Sequence, residues 1–184
     1  MKLILEEEKP VNTIYSTEDG RMMYKIDDTT KWGGLGKHTT VIQKLDASSG
    51  SWVTFGSVEH RDFHSDKLIM GDWQVEANDF FRKKGMGFYG RNRIFTAPDG
   101  KEYSWEMGSS ICELSLNDES KTKVTKYTRK YYGIFHDKAP ASLEILPPGQ
   151  HMLDFVMFTF AYVESLRTQE EKQTIKSVNS ALKP

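Results

Sequence analysis

The chain has too few cysteines for an internal disulfide. Cys112 is the single cysteine among 184 residues, so a reducing cytoplasm is the expected location. It also lacks an excess of either charge: the formal net charge is −1, so no general attraction to nucleic acid or membranes is expected. Any electrostatic function must come from local segregation of charge. The apolar stretch in residues 1–5 is too short for a signal peptide, and none is expected. Long hydrophobic runs are scarce as well. The main one is Met152-Leu-Asp-Phe-Val-Met-Phe-Thr-Phe-Ala-Tyr-Val163, twelve residues in which only Asp154 and Thr159 are not hydrophobic. As a helix it is roughly 18 Å long, against about 30 Å for a bilayer core. It cannot span a membrane, so protein must surround it on every side.

What the chain does have is strand signals before that helix. Residues 22–27 alternate with period two, placing Met22, Tyr24 and Ile26 on one face. Residues 39–45 and 51–58 read as a hairpin through Asp46-Ala-Ser-Ser-Gly50. Residues 91–97 and 101–107 meet across Pro98-Asp-Gly100, where proline presets φ and glycine supplies a positive one. Tyr103, Trp105 and Met107 then share a face. Cys112, Leu114 and Leu116 continue the pattern, Asn117-Asp-Glu-Ser120 turns the chain, and residues 121–132 and 142–146 are further strands. A sandwich holds its sheets about 10 Å apart and leaves no room for a helix that is apolar all round, whereas a large barrel can enclose one. The expected fold is therefore mainly β: a closed antiparallel β-barrel enclosing a hydrophobic C-terminal α-helix. One domain, 1–184, is expected, with barrel strands in 11–147, the central helix in 149–167 and a polar helical extension or tail in 168–184.

Asp99-Gly-Lys-Glu-Tyr-Ser-Trp105, Glu113-Leu114, Leu143-Glu-Ile145 and the run from Met152 to Glu164 together resemble an uncharacterised domain family abundant in mushroom-forming fungi. The resemblance covers roughly residues 80–167. The same order of parts is similar to the tubby C-terminal-like superfamily, which includes plant LURP-one-related proteins and phospholipid scramblases. That resemblance implies a closed barrel around a central helix. It supplies no catalytic residue and no phosphate-binding motif that can be matched position by position.

Two basic segments stand out. Phe80-Phe-Arg-Lys-Lys-Gly-Met-Gly-Phe-Tyr-Gly-Arg-Asn-Arg93 carries Arg82, Lys83, Lys84, Arg91 and Arg93 interleaved with aromatics, with no acid between Asp79 and Asp99. Guanidinium groups fork to phosphate while rings sit at an interface, so an anionic lipid headgroup is the matching ligand. The plainer alternative is an exposed connection whose arginines pair with carboxylates elsewhere. Lys121, Lys123, Lys126, Arg129 and Lys130 form the second run, which also reads as an edge strand protected by lysines. Whether the two runs form one face is not legible in the sequence.

Other candidates are weaker. His60 and His64, four apart beside three carboxylates in residues 59–66, have metal-ligand chemistry, but their surroundings read as a strand end and loop, where spacing fixes no geometry. Trp32-Gly-Gly-Leu-Gly36 lacks the lysine and serine of a phosphate-binding loop. Asp154 is the isolated acid of the apolar run: its partner is a barrel-wall donor or the free backbone N–H groups near the helix start, where a first-turn carboxylate complements the helix dipole, or else it acts as a general acid or base beside His151 or Tyr162. No cofactor is expected. Nor is nucleic acid, since no groove-reading helix or stacking motif is evident. The function expected is a non-enzymatic cytoplasmic module that binds anionic phospholipid or phosphoinositide surfaces peripherally through residues 82–93. The alternative is a small-molecule binder or enzyme using a cavity between barrel and helix.

Overall fold

The computed structural model describes residues 1–29, 38–85, 92–108, 112–128, 130 and 139–181. Trp32-Gly-Gly-Leu-Gly36, Gly87, Gly90, Arg91, Ile111, Arg129 and Leu182 lie outside the described residues. In chain order the elements are β1 (Lys2–Leu5), β2 (Thr13–Thr17), β3 (Met22–Asp28), β4 (Thr39–Leu45), β5 (Trp52–Glu59), β6 (Lys67–Met70), β7 (Trp73–Glu76) and the helical turn α1 (Ala77–Phe80). There follow β8 (Arg82–Lys84), β9 (Asn92–Thr96), β10 (Glu102–Met107), β11 (Cys112–Leu116), β12 (Thr125–Thr128), β13 (Ser142–Ile145), a 3-10 turn (Pro147–Met152) and α2 (Leu153–Ala181). Nine strands form one sheet in the order β12-β13-β1-β2-β3-β4-β5-β6-β7, and four form a second in the order β11-β10-β9-β8.

Local chemistry accounts for the turns. Gly50 and Gly100 adopt φ of +67° and +79°, conformations that cost a side chain dearly and glycine little. Around the first, the Asp46 carboxylate accepts bonds from the Ser48 and Ser49 hydroxyls at 2.7 Å each. Across the second, Glu102 pairs with Thr96 and Trp105 with Arg93. Period-two alternation then sends Tyr24 and Ile26 of β3, Ile42 of β4, and Tyr103 and Trp105 of β10 fully inward.

Those inward faces close on α2. Every residue from 156 to 165 of the helix is buried, and both sheets contribute to its cover. Phe160 meets Tyr15 of β2 edge-on at 6.5 Å and Trp105 of β10 at 5.7 Å. Burying each such ring contributes about 1.5–3 kcal/mol. The helix approaches β5 so closely that a Cβ built on Gly56 would lie 2.6 Å from the Phe158 ring, so glycine is required there by space.

The mainly β fold with one long C-terminal helix matches the sequence reading, but a single closed ladder does not form among the described residues. On one side the sheets are stitched: Ser115 of β11 bridges Lys123, and the Val124 N–H donates to the Leu114 carbonyl at 2.8 Å. On the other side the chain leaves β7 through α1, where the Ala77 N–H is taken by Asp66 and the Phe81 N–H by Ala77. These bonds divert the backbone from a hairpin, and among the described residues β8 pairs only with β9.

Candidate functional site

A cavity of about 610 Å³ opens where α2 begins. Its walls are largely apolar, including Met23, Met70, Trp73 and Phe155, and its polar corner is made by Tyr24, Lys44 and Asp154. The 3-10 turn delivers Asp154 to the first turn of α2, while β3 and β4, paired as Tyr24 opposite Lys44, supply the other two. The Tyr24 hydroxyl donates to Asp154 Oδ1 at 2.6 Å, and the Lys44 ammonium donates to both carboxylate oxygens at 2.9 Å. Burial, then the Asp154 hydrogen bond and charge, lift the Tyr24 pKa well above its ordinary value. This phenol stays a donor at any physiological pH.

His151 lines the same cavity, one helical turn before Asp154. Its Nε2 lies 3.1 Å from Asp99 Oδ2, which also accepts from the Tyr103 hydroxyl at 2.7 Å, while Asp99 Oδ1 takes the Lys101 N–H at 3.1 Å. Burial raises the Asp99 pKa, but the bonds from Tyr103, Lys101 and His151 outweigh it and hold the carboxyl below its ordinary value. The Pro98-Asp-Gly100 turn thus reaches the helix start and anchors it. Asp154 and His151, named from sequence as a possible acid–base pair, do share a cavity; Tyr162 does not. Tyr162 is 4% exposed, stacks on Phe81 at 5.1 Å, and has its pKa pushed up to about 12, mainly by burial, with Arg93 opposing.

Further along α2 lies a buried polar cluster. Glu164 has no exposure, and it accepts from the Cys112 N–H at 2.5 Å and from Arg167 Nε at 2.8 Å. Burial raises the Glu164 pKa against the pull of Arg167. The Cys112 thiol is pushed up by the same burial and by Glu164, which makes it a core thiol and a poor nucleophile.

The model of a protein family matches residues 8–169, spanning the cavity and the buried cluster alike. The chain belongs to that family, DUF6593, a family of unknown function. No curated protein and no solved structure matches the chain.

The remaining candidates of this DUF6593 member are scattered. Arg82 sits on the edge strand β8 and pairs with Glu102. Lys83 and Lys84 are exposed on the same strand. Arg93 stands opposite Lys83 on one side and Trp105 on the other, and hydrogen-bonds the buried Tyr162. Arg91 is outside the described residues. The second run is separated from β8 by three strands, β9, β10 and β11, whose side chains Glu102 and Glu113 pair with Arg82 and Lys123. Acids thus alternate with bases between the two runs. His60 is 3% exposed, between Thr40 at 3.0 Å and Asp66 at 3.2 Å, and stacks on His38 at 4.2 Å. His64 is exposed and takes no part, and the described residues contain no cluster of three or more metal-ligating side chains. No helix of the described residues is long and apolar enough to cross a membrane.

Lys44 was missed by the sequence reading. It lies 110 residues from Asp154, and the one available signal was its position in a strand of alternating pattern beside an unpartnered helix acid.

Proposed function

We propose that this protein is a cytoplasmic, non-enzymatic binding module that takes a small, largely apolar molecule into the cavity at the start of α2. One observation carries the reading: about 610 Å³ of space with predominantly apolar walls and polar groups gathered in one corner, the form of small-molecule sites in general. The polar groups are engaged with one another rather than left exposed to a reacting atom, which favours binding over chemistry. The two sheets serve here as one barrel-like wall around α2, as the tubby-like resemblance implies. Binding of the neutral dye Nile red, read by its fluorescence, tests the proposal. The wild-type protein is expected to bind it, and Met70→Trp, which fills the cavity, to bind at least about tenfold more weakly; equal binding by both overturns the reading.

Recognition of anionic lipid surfaces stands as a second proposal, supported by the exposed edge strand β8 with Arg82, Lys83 and Lys84. Cosedimentation with phosphoinositide-containing vesicles at low and moderate salt tests it. Binding that survives replacement of all three residues by glutamine, or no binding at either salt, removes it.

A further inference from the structure

We propose that the cavity at the start of α2 selects an apolar molecule bearing an uncharged hydroxyl head, in preference to a carboxylate or an amine of the same chain length. This rests on the binding reading above and specifies the ligand class.

The argument is one of charge balance and spare hydrogen-bonding capacity. Lys44 and Asp154 form an ion pair within the cavity lining, with side chains 44% and 38% exposed. Their charges cancel, so the corner carries no net charge to favour a head group of either sign. An anionic ligand reaches the Lys44 ammonium only against the Asp154 charge beside it, and a cationic one reaches Asp154 only against Lys44, while each loses its own hydration. The pair nonetheless keeps polar capacity. The ammonium has three N–H groups and Asp154 accounts for two of its bonds. Asp154 Oδ1 takes Tyr24 and Lys44, whereas Oδ2 takes only Lys44. One N–H donor on Lys44 and one lone pair on Asp154 therefore remain. A hydroxyl both accepts and donates, and satisfies both without breaking the pair. The second pair at the rim, His151 with Asp99, likewise sets a base against an acid.

Size fits the same class. A volume of about 610 Å³ corresponds to roughly twenty waters, which is room for a twelve-carbon chain. Trp73 and Phe155 offer the apolar surface against which such a chain packs.

The test is displacement of Nile red by 1-dodecanol, dodecanoate and dodecylammonium, each below its aggregation limit, from the wild type and from Asp154→Asn and Lys44→Met. Wild type is expected to bind dodecanol at least about tenfold more tightly than either ion. Asp154→Asn frees the Lys44 charge, so dodecanoate is expected to gain about tenfold, the worth of one charge-assisted hydrogen bond. Lys44→Met is expected to produce the mirror result with dodecylammonium, which keeps the test intact if one variant fails to fold. Dodecanoate binding to wild type as tightly as dodecanol, or ion affinities unmoved in both variants, overturns the head-group inference alone. Failure of all three probes to displace a bound dye overturns it too, whereas failure of the dye to bind at all removes the underlying binding reading.

Discussion

Glu164 shows how much one side chain is asked to do inside this fold. It is fully buried, it satisfies the Cys112 N–H of β11, and it compensates Arg167, which is itself 7% exposed. Replacing it with leucine takes the carboxylate away from a buried guanidinium and a buried amide, so Glu164→Leu should lower the unfolding free energy by about 3–5 kcal/mol. Denaturant titration measures this. Glu164→Leu combined with Arg167→Met removes both charges and should recover a large part of the loss, because a pair replaced by apolar groups is often nearly neutral. If the double variant is less stable than the single one, the loss is steric and the charge argument fails. Glu164 and Arg167 fall at the end of the central helix expected over residues 149–167, and charged residues after an apolar run usually mark the surface. Their three-residue spacing, which on a helix allows a pair to satisfy itself, was the signal pointing the other way. Asp154 was legible in the same partial sense. Its cost in an apolar helix is plain, but the sequence leaves a wall donor and the free N–H groups of the helix start as alternatives, and the identity of Tyr24 and Lys44 depends on strand register that hydropathy does not encode.

The elements were legible where turn chemistry was strong. The β9–β10 and β4–β5 hairpins stand where Pro98-Asp-Gly100 and Asp46-Ala-Ser-Ser-Gly50 placed them, because these turns fix register through a few residues. The short strands β1, β2, β6 and β7 and the turn α1 went unread, since four or five residues give too little periodicity to rise above noise. Asp46 supplies a prediction at this scale. Hydrogen bonds from Ser48 and Ser49 hold its pKa down at about 2, against an ordinary aspartate value of about 3.9. A depressed carboxylate stabilises the folded state above the unfolded value, and that contribution is lost as pH falls through the folded one. The β4–β5 turn should therefore keep its native Ser48 and Ser49 amide shifts down to about pH 3 and lose them near pH 2, followed by NMR. A midpoint near 4 refutes the role given to the serines. Gly56 supplies another. A Cβ at that position meets the Phe158 ring at 2.6 and 2.9 Å, so Gly56→Ala should destabilise by about 1–3 kcal/mol through overpacking. The loss should shrink in a Phe158→Leu background, as coupling between touching residues requires. Additive losses in the denaturation curves would show that the two positions do not press on each other.

At the scale of the whole molecule, the apolar run from Met152 to Val163 set the architecture, because its hydrophobicity on all sides demanded protein on all sides. That demand is met. What hydropathy did not determine is whether the cover is one ladder or two, since an inward-facing tyrosine or tryptophan looks the same in either. The wall is stitched where Val124 donates to Leu114 and changes at the opposite side, where α1 separates β7 from β8 and Phe80, Phe81 and Phe95 fill the space with edge-on and tilted rings 4.7–5.6 Å apart. Aromatic packing there does the work that hydrogen bonds do elsewhere, and packing without a ladder leaves strand amides less protected. Amide hydrogen exchange should therefore be slowest in β3, β4 and β5, which are paired on both sides over long registers, and open only with global unfolding. The amides of β8, paired on one side to β9 alone, should exchange at least about a hundredfold faster. Exchange in β8 as slow as in β4 would mean that its free edge is covered by a partner strand, and the wall would then be a closed barrel after all.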